Sequence, residues 1–435
     1  RYDFTGALGQ ARLLELVGLG EVLFTAKFTS EDGVGRPRAT QAILPTRRKR
    51  DASETFQRIA GLDANACSSC HNDPIPGGAG DFSSNAFVTE GFTFPDLDTT
   101  DQQFSNERNT NHLMGSGLVE LLAREMTVDL TLLRDQALKT AREEGRQVDV
   151  RLSTKGVDFG RLTAFPDGMI DGSAIDGVDP DLVVRPFGHK GVMTSLRQFT
   201  INALNQHHGM QAVERFGSRW TDDPDFDRDG VEGEITTGDV SALVAWQATR
   251  PPPIEQSPKN ADWAEAAQRG STLFDRLGCP ACHSRALPLE RLVFADPGPF
   301  DTAGTLRIDE VEAQAIYDLR LLEWHGRLER NENGAYLVPL FADLKRHKMT
   351  DHKVAGFGNE LLSQRFVERD VFQTTELWGV GSTAPYGHRG DMTTLDEAIR
   401  AHGGAARSSR DAYVNAASEE RSHLIAFLKT LVIQP

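Results

Sequence analysis

Two pentapeptides constrain this chain more than any other feature of its sequence: Cys67-Ser-Ser-Cys70-His71 and Cys279-Pro-Ala-Cys282-His283. Between them they take all four cysteines. C-x-x-C-H is the attachment signal for c-type haem, in which two thiols bond the porphyrin vinyl groups and the following histidine binds iron. A zinc ribbon would place its two C-x-x-C pairs roughly 15 to 20 residues apart, whereas these lie on opposite sides of the chain's midpoint. A redox disulfide pair needs no histidine next to it, yet both copies have one. The reading is two covalently held haems, Cys67, Cys70 and His71 holding one and Cys279, Cys282 and His283 the other. Because such motifs are loaded outside the cytoplasm, it also implies a periplasmic or secreted protein. The start at Arg1 reads as a mature chain whose signal peptide has been removed.

Charge narrows the partners. Lys and Arg total 47 against 63 Asp and Glu, a net −16, so a phosphate backbone is repelled over most of the surface and nucleic acid is excluded as a partner. A small cytochrome or cupredoxin with a basic face fits better. The one strong basic run, Arg47-Arg48-Lys49-Arg50, reads as a solvated loop. Apolar runs such as Leu13 to Leu23 stop well short of the roughly 18 residues of a spanning helix, so no transmembrane segment is expected.

At 435 residues the chain is too long for one ordinary core, and it repeats itself. Leu113-Met-Gly-Ser-Gly117 parallels Leu377-Trp-Gly-Val-Gly381, and Pro186-Phe-Gly-His189-Lys-Gly-Val-Met193 parallels Pro385-Tyr-Gly-His388-Arg-Gly-Asp-Met392. Each copy closes on histidine-glycine, His208-Gly209 and His402-Gly403. The expected fold is mainly α, with two cytochrome-c-like haem domains related by duplication. They span residues 1–250 and 260–435, divided near Arg250-Pro-Pro-Pro253. An insert at about 118–184 in the first carries a helix near Leu130 to Arg142 and a β-hairpin through Val148, Val150 and Leu152.

The sixth ligand of each iron decides between carrier and catalyst. In the second copy Leu395 to Ala401 reads as a short helix that delivers His402 to iron with Gly403 as its cap. In the first, His207 and His208 compete. They lie 18 and 19 positions after His189, against 14 from His388 to His402. An offset of four residues turns a helix by about 400° and favours His207, while the matching histidine-glycine boundary favours His208. His189 and His388 read as partners of backbone or of a haem propionate, and Lys190 and Arg389 as propionate cations. Unrepeated histidines, including His112, His325, His347, His352 and His423, take ordinary surface or core roles.

The run Cys67-x-x-Cys70-His71-Asn-Asp-Pro74 with Gly77-Gly78, together with Phe341-Ala-Asp343-Leu, Leu377-Trp378-Gly379 and Ala384-Pro385-Tyr386-Gly387-His388, resembles the bacterial di-haem oxidoreductases and, more distantly, the bacterial cytochrome c peroxidases. The resemblance covers most of the chain. It implies a peroxidase-like oxidoreductase in which the iron of His71 opens to peroxide while the haem of His283 supplies electrons. His402 stands where those peroxidases commonly keep a methionine. Imidazole favours the ferric state, so this haem should have the lower potential, which speaks for the alternative of a non-catalytic electron carrier with both haems bis-histidine ligated.

Two further features remain. Heterolysis of peroxide needs an acid–base group, and Glu120 is a candidate by position alone. Asp225, Asp227 and Asp229, the Val231 carbonyl and Glu234 follow an EF-hand-like spacing with glycine sixth, although Thr236 replaces the closing glutamate. The resemblance implies a calcium ion there; the residues alone allow a solvated acidic turn.

Overall fold

The computed structural model describes residues 5–34, 65–80, 84–85, 107–226, 229–360 and 364–434. The basic run 47–50 lies outside them. The fold is mixed α and β, not the mainly α pair of duplicated haem domains that the repeat suggested. Strand makes up 15% against 40% helix, too much for a mainly α class. The strands form six small sheets among the described residues. Most are ribbons of two to four residues, too short to leave an alternating pattern in the sequence. Many lie between His283 and Leu377, where the second repeat carries its added length. One sheet joins the ends of the chain: Gly6–Leu8 runs parallel to Ala315–Asp318, which pairs antiparallel with Val293–Asp296.

Two helix crossings frame the haem motifs, and each is set by a glycine. Helix Gln10–Thr25 crosses Thr237–Ala248 at Gly20, where a Cβ would lie 2.0 Å from the Ala242 carbonyl oxygen. Phe24 stacks on Trp246 beside that crossing, ring centres 4.0 Å apart. Helix Ala261–Arg276 crosses Ser418–Leu428 at Gly270, where a Cβ would lie 1.9 Å from the His423 carbonyl oxygen. Only glycine lets the axes approach this closely. Thr237–Ala248 starts in a capping box, Thr236 accepting from the Asp239 N–H and Asp239 from that of Thr236. Asn260 caps Ala261–Arg276 by accepting from the Trp263 N–H at 2.8 Å.

The expected insert hairpin is present. Val148–Thr154 pairs with Val157–Ala164, and Lys155 and Gly156 both take positive φ, as a two-residue hairpin turn requires. It packs on Ser116–Glu144, a helix of 29 residues, longer than the stretch expected there. One apolar core runs from Leu8 and Phe24 through this helix and hairpin to Leu287, Tyr317 and Trp378, crossing the expected boundary near residue 250. A smaller core gathers Phe274, Phe341, Tyr413 and Phe427. Among the described residues no helix is long and apolar enough to cross a membrane.

Candidate haem sites

Both motifs fold the same way. Cys67–Ser69 and Cys279–Ala281 each form a single tight turn, and in both the N–H of the motif histidine donates to the first cysteine's carbonyl at 3.0 Å. No disulfide joins the cysteines.

In the C-terminal site the rings of His283 and His402 lie with centres 6.4 Å apart, their planes tilted by 56°. The Nδ1–H of His283 donates to the Phe341 carbonyl at 3.0 Å, and that of His402 to the Ala398 carbonyl at 2.7 Å. Metal-binding histidines use this arrangement: a carbonyl fixes the tautomer and leaves Nε2 for the ion. Two imidazoles sharing one metal at roughly 2.0–2.1 Å per bond, with about 1.1 Å from each Nε2 to its ring centre, would stand about 6.3 Å apart. The observed spacing fits an iron held by both. Burial lowers the pKa of each, to about 4 for His283, so both are the neutral donors a metal needs. His402 follows helix Leu395–Arg400, as its sequence implies, but the turn beyond differs: Gly403 is extended and Gly404 takes the positive φ of 52°. Beside this site Cys282, Asp343 and His347 bring their donor atoms within 4.8 Å of one another, the one such group among the described residues. His347 Nε2 donates to Asp343 at 2.8 Å.

The N-terminal site is built differently. His71 opens onto a cavity of ≈ 220 Å³ that also receives Met114, His189, Met193, His207 and His208. Burial holds His71 down at about 4, again a neutral donor. Helix Leu196–Ala203, capped by Ser195, widens into a π turn over Leu204–His208 and stops at Gly209 with φ 70°. Such widened turns absorb an extra residue and recur at functional sites. The turn puts both candidate ligands on the cavity wall, with His208 Nε2 3.7 Å from Cys67 Sγ, on the side where the porphyrin would be attached.

The other sequence candidates go to different places. Glu120 does not line the cavity; its carboxylate accepts from Arg124 at 2.5 Å and from the Leu196 N–H at 2.7 Å. His189 Nε2–H donates to the Asn109 carbonyl at 3.1 Å, and His388 is buried against Phe372. Lys190 is spent on the carbonyls of Glu368, Arg369 and Val371, and Arg389 donates to that of Asn359. In the acidic loop Asp225 accepts from the N–H groups of Asp229 and Gly230, Asp229 from that of Val231, and Glu234 from the Gln211 N–H at 2.7 Å. Asp227 lies outside the described residues. The described carboxylates of the loop form no group tight enough for one ion, so nothing supports calcium there.

The sequence missed two titratable residues on the cavity wall, His112 and Glu376. His112 Nε2–H donates to the Trp378 carbonyl at 3.0 Å. Their shared place in the repeat, directly before Leu113 and Leu377, was the available signal. Glu376 and Trp378 belong to the C-terminal half, so the cavity beside the first motif is walled in part by the second half.

The comparison with known families bears on residues beside and beyond Phe341. Residues 331–431 match the di-haem oxidoreductase family, described as "Di-haem oxidoreductase, putative peroxidase". The matched stretch includes the Leu377-Trp378-Gly379 element and His402. The chain is also similar to the cytochrome-c peroxidase IdrP2 of Pseudomonas sp. (strain SCT), 22% identical over 60% of this chain and 63% of that protein. The cytochrome-c peroxidase IdrP2 of Denitromonas iodatirespirans is 24% identical over 60% of this chain and 64% of that protein. The match thus spans just under two thirds of these relatives. Among solved structures, Kuenenia stuttgartiensis hydrazine synthase aligns over 98% of this chain and 95% of that chain at 14% identity, TM-score 0.33. A MauG-like protein associated with microbial copper homeostasis aligns over 56% and 68% at 19% identity, TM-score 0.29. Overlaps this loose carry no argument about fold or function.

Proposed function

We propose that the chain is an extracytoplasmic di-haem c-type oxidoreductase that reduces peroxide with electrons from a small redox protein. One observation carries the reading: the two haem sites differ in kind. His283 and His402 stand at the separation of a shared iron, which leaves no position for a substrate, whereas His71 opens onto a cavity. A closed centre suits electron storage and an open one suits chemistry. The residues that would hold the groups are Cys67, Cys70 and His71 on one side and Cys279, Cys282, His283 and His402 on the other. Bound there, haem supplies one-electron redox chemistry and a site for peroxide oxygen. The protein's own work is to keep these histidines neutral and oriented and to shield the second site from water. The net charge of −16 supports a basic partner, such as a small cytochrome or cupredoxin.

A second reading is a pure electron carrier, favoured by the presence of His207 and His208 on the same cavity wall as His71. EPR and visible spectra of the oxidised and half-reduced protein, with and without peroxide, separate the two. The peroxidase reading expects one centre that is high-spin or accepts added ligand in at least one of those states. Two low-spin centres, unchanged by peroxide in both, would establish the carrier.

A further inference from the structure

The cavity beside His71 is lined by apolar, amide, hydroxyl and thioether side chains, the thiols of Cys67 and Cys70, the imidazoles of His71, His112, His189, His207 and His208, and the guanidinium of Arg108, which pairs with Glu360 at 2.7 Å; among the described lining residues Glu376 is its one carboxylate. Its backbone is fixed on both sides. Gln373 Nε2 donates to the carbonyls of Arg185 at 3.0 Å and Leu344 at 3.3 Å, and the Thr374 N–H donates to that of Lys345 at 3.0 Å. Two residues beyond, Trp378 is buried against Gly115, where a Cβ would lie 2.6 Å from the indole. No arginine or lysine reaches the Glu376 carboxyl among the described residues, and it accepts from its own N–H. This contrasts with Glu120, which is fastened to Arg124.

We propose that Glu376 is the acid–base residue of this cavity, moving a proton between the two oxygens of hydrogen peroxide. The inference rests on the peroxide-reducing reading above. The oxygen that binds gives its proton to the Glu376 carboxylate, the O–O bond breaks, and the leaving oxygen receives that proton and departs as water. The remaining oxygen takes two electrons from the reduced partner protein and two protons from solvent and leaves as the second water. Burial supports the role, raising the carboxyl to about 7, where it can both accept and donate near neutral pH.

Cyanide is a probe independent of turnover, because hydrogen cyanide must surrender a proton to a base in order to bind iron. The test follows cyanide binding to the holoprotein by visible spectroscopy from pH 5 to pH 8, in whichever oxidation state binds ligand. The wild type should show an inflection near neutral pH. Glu376→Gln should slow cyanide binding and peroxide consumption by about 100-fold or more and remove the inflection, with haem content and reduction potentials retained. Glu376→Asp should restore part of the rate. Wild-type rates and pH profile in Glu376→Gln would overturn the assignment. Should that variant fail to fold, a wild-type profile without an inflection between about pH 6 and 8 would do the same. If the wild type binds neither cyanide nor peroxide in any oxidation state, the peroxide-reducing reading itself falls and takes this inference with it.

Discussion

His283 and His402 hold their rings 6.4 Å apart, each anchored by Nδ1 to a main-chain carbonyl, Phe341 and Ala398 respectively. The pair is preorganised for a metal between them. His402→Gly should therefore produce one high-spin haem that accepts added imidazole. His402→Met should raise the potential of that haem, by about 0.1 V or more within the roughly 0.8 V range that axial ligands command. The N-terminal haem should keep its spectrum. Unchanged spin states and potentials in both variants would place the sixth ligand elsewhere.

If each motif holds its own haem, the two should load separately, since each cysteine pair sits on its own turn with its own histidine. Replacing both Cys67 and Cys70 by alanine should leave one covalent haem per chain by pyridine haemochrome, and likewise for Cys279 with Cys282. Two haems retained in either double variant would refute the assignment of that motif.

Gly20 tests the crossing that supports the first motif. A side chain there would be driven into the main chain of Ala242 rather than into a yielding side chain. Gly20→Val should cost at least about 2 kcal/mol, seen as a lowered melting temperature. An unchanged melt would mean that the two helices separate without penalty.

Asp301 makes stability pH-dependent. It accepts from the Ser195 hydroxyl and, at 2.6 Å, from the Gly298 N–H; burial first, and the nearby Glu120 carboxylate second, raise its pKa to about 7. Unfolded, it would titrate near 3.9. Between about pH 4 and 7 the native state therefore holds a proton that the unfolded chain has lost, and this contribution to stability falls as pH rises through that window, then levels. In urea denaturation Asp301→Asn should show a shallower decline from pH 5 to pH 8, the difference being on the order of 1 kcal/mol or more. Parallel pH dependences for the two proteins would remove Asp301 as the source.

What the sequence revealed depended on the length of the pattern that encoded it. The C-x-x-C-H motifs are local and chemically specific, and both fold as tight turns closed by the histidine N–H on the first cysteine's carbonyl. The hairpin through Val150 was legible because an alternating run spans several residues. Strands such as Leu287–Leu289 and Tyr336–Val338 are three residues long and owe their existence to partners far along the chain, so periodicity could not separate them from loop. Glu120 was chosen by position; Arg124, one helical turn on, is a partner that spacing could have offered, but nothing local announces that the Leu196 N–H claims the same carboxylate. Glu376 left no signal but its place before Leu377 in the repeat: it lies some 300 residues from the motif whose cavity it lines, and only the tertiary fold joins them.

Because Gln373, Glu376 and Trp378 wall the cavity next to Cys67 and His71, the first site cannot be finished until the chain has been made as far as Trp378. A fragment ending after Ala248 would carry the first attachment motif with that wall missing, its porphyrin face exposed to water. The two halves are therefore not exchangeable parts: a lineage that shuffled one of them would have to carry over the other's Gln373-to-Trp378 segment as well.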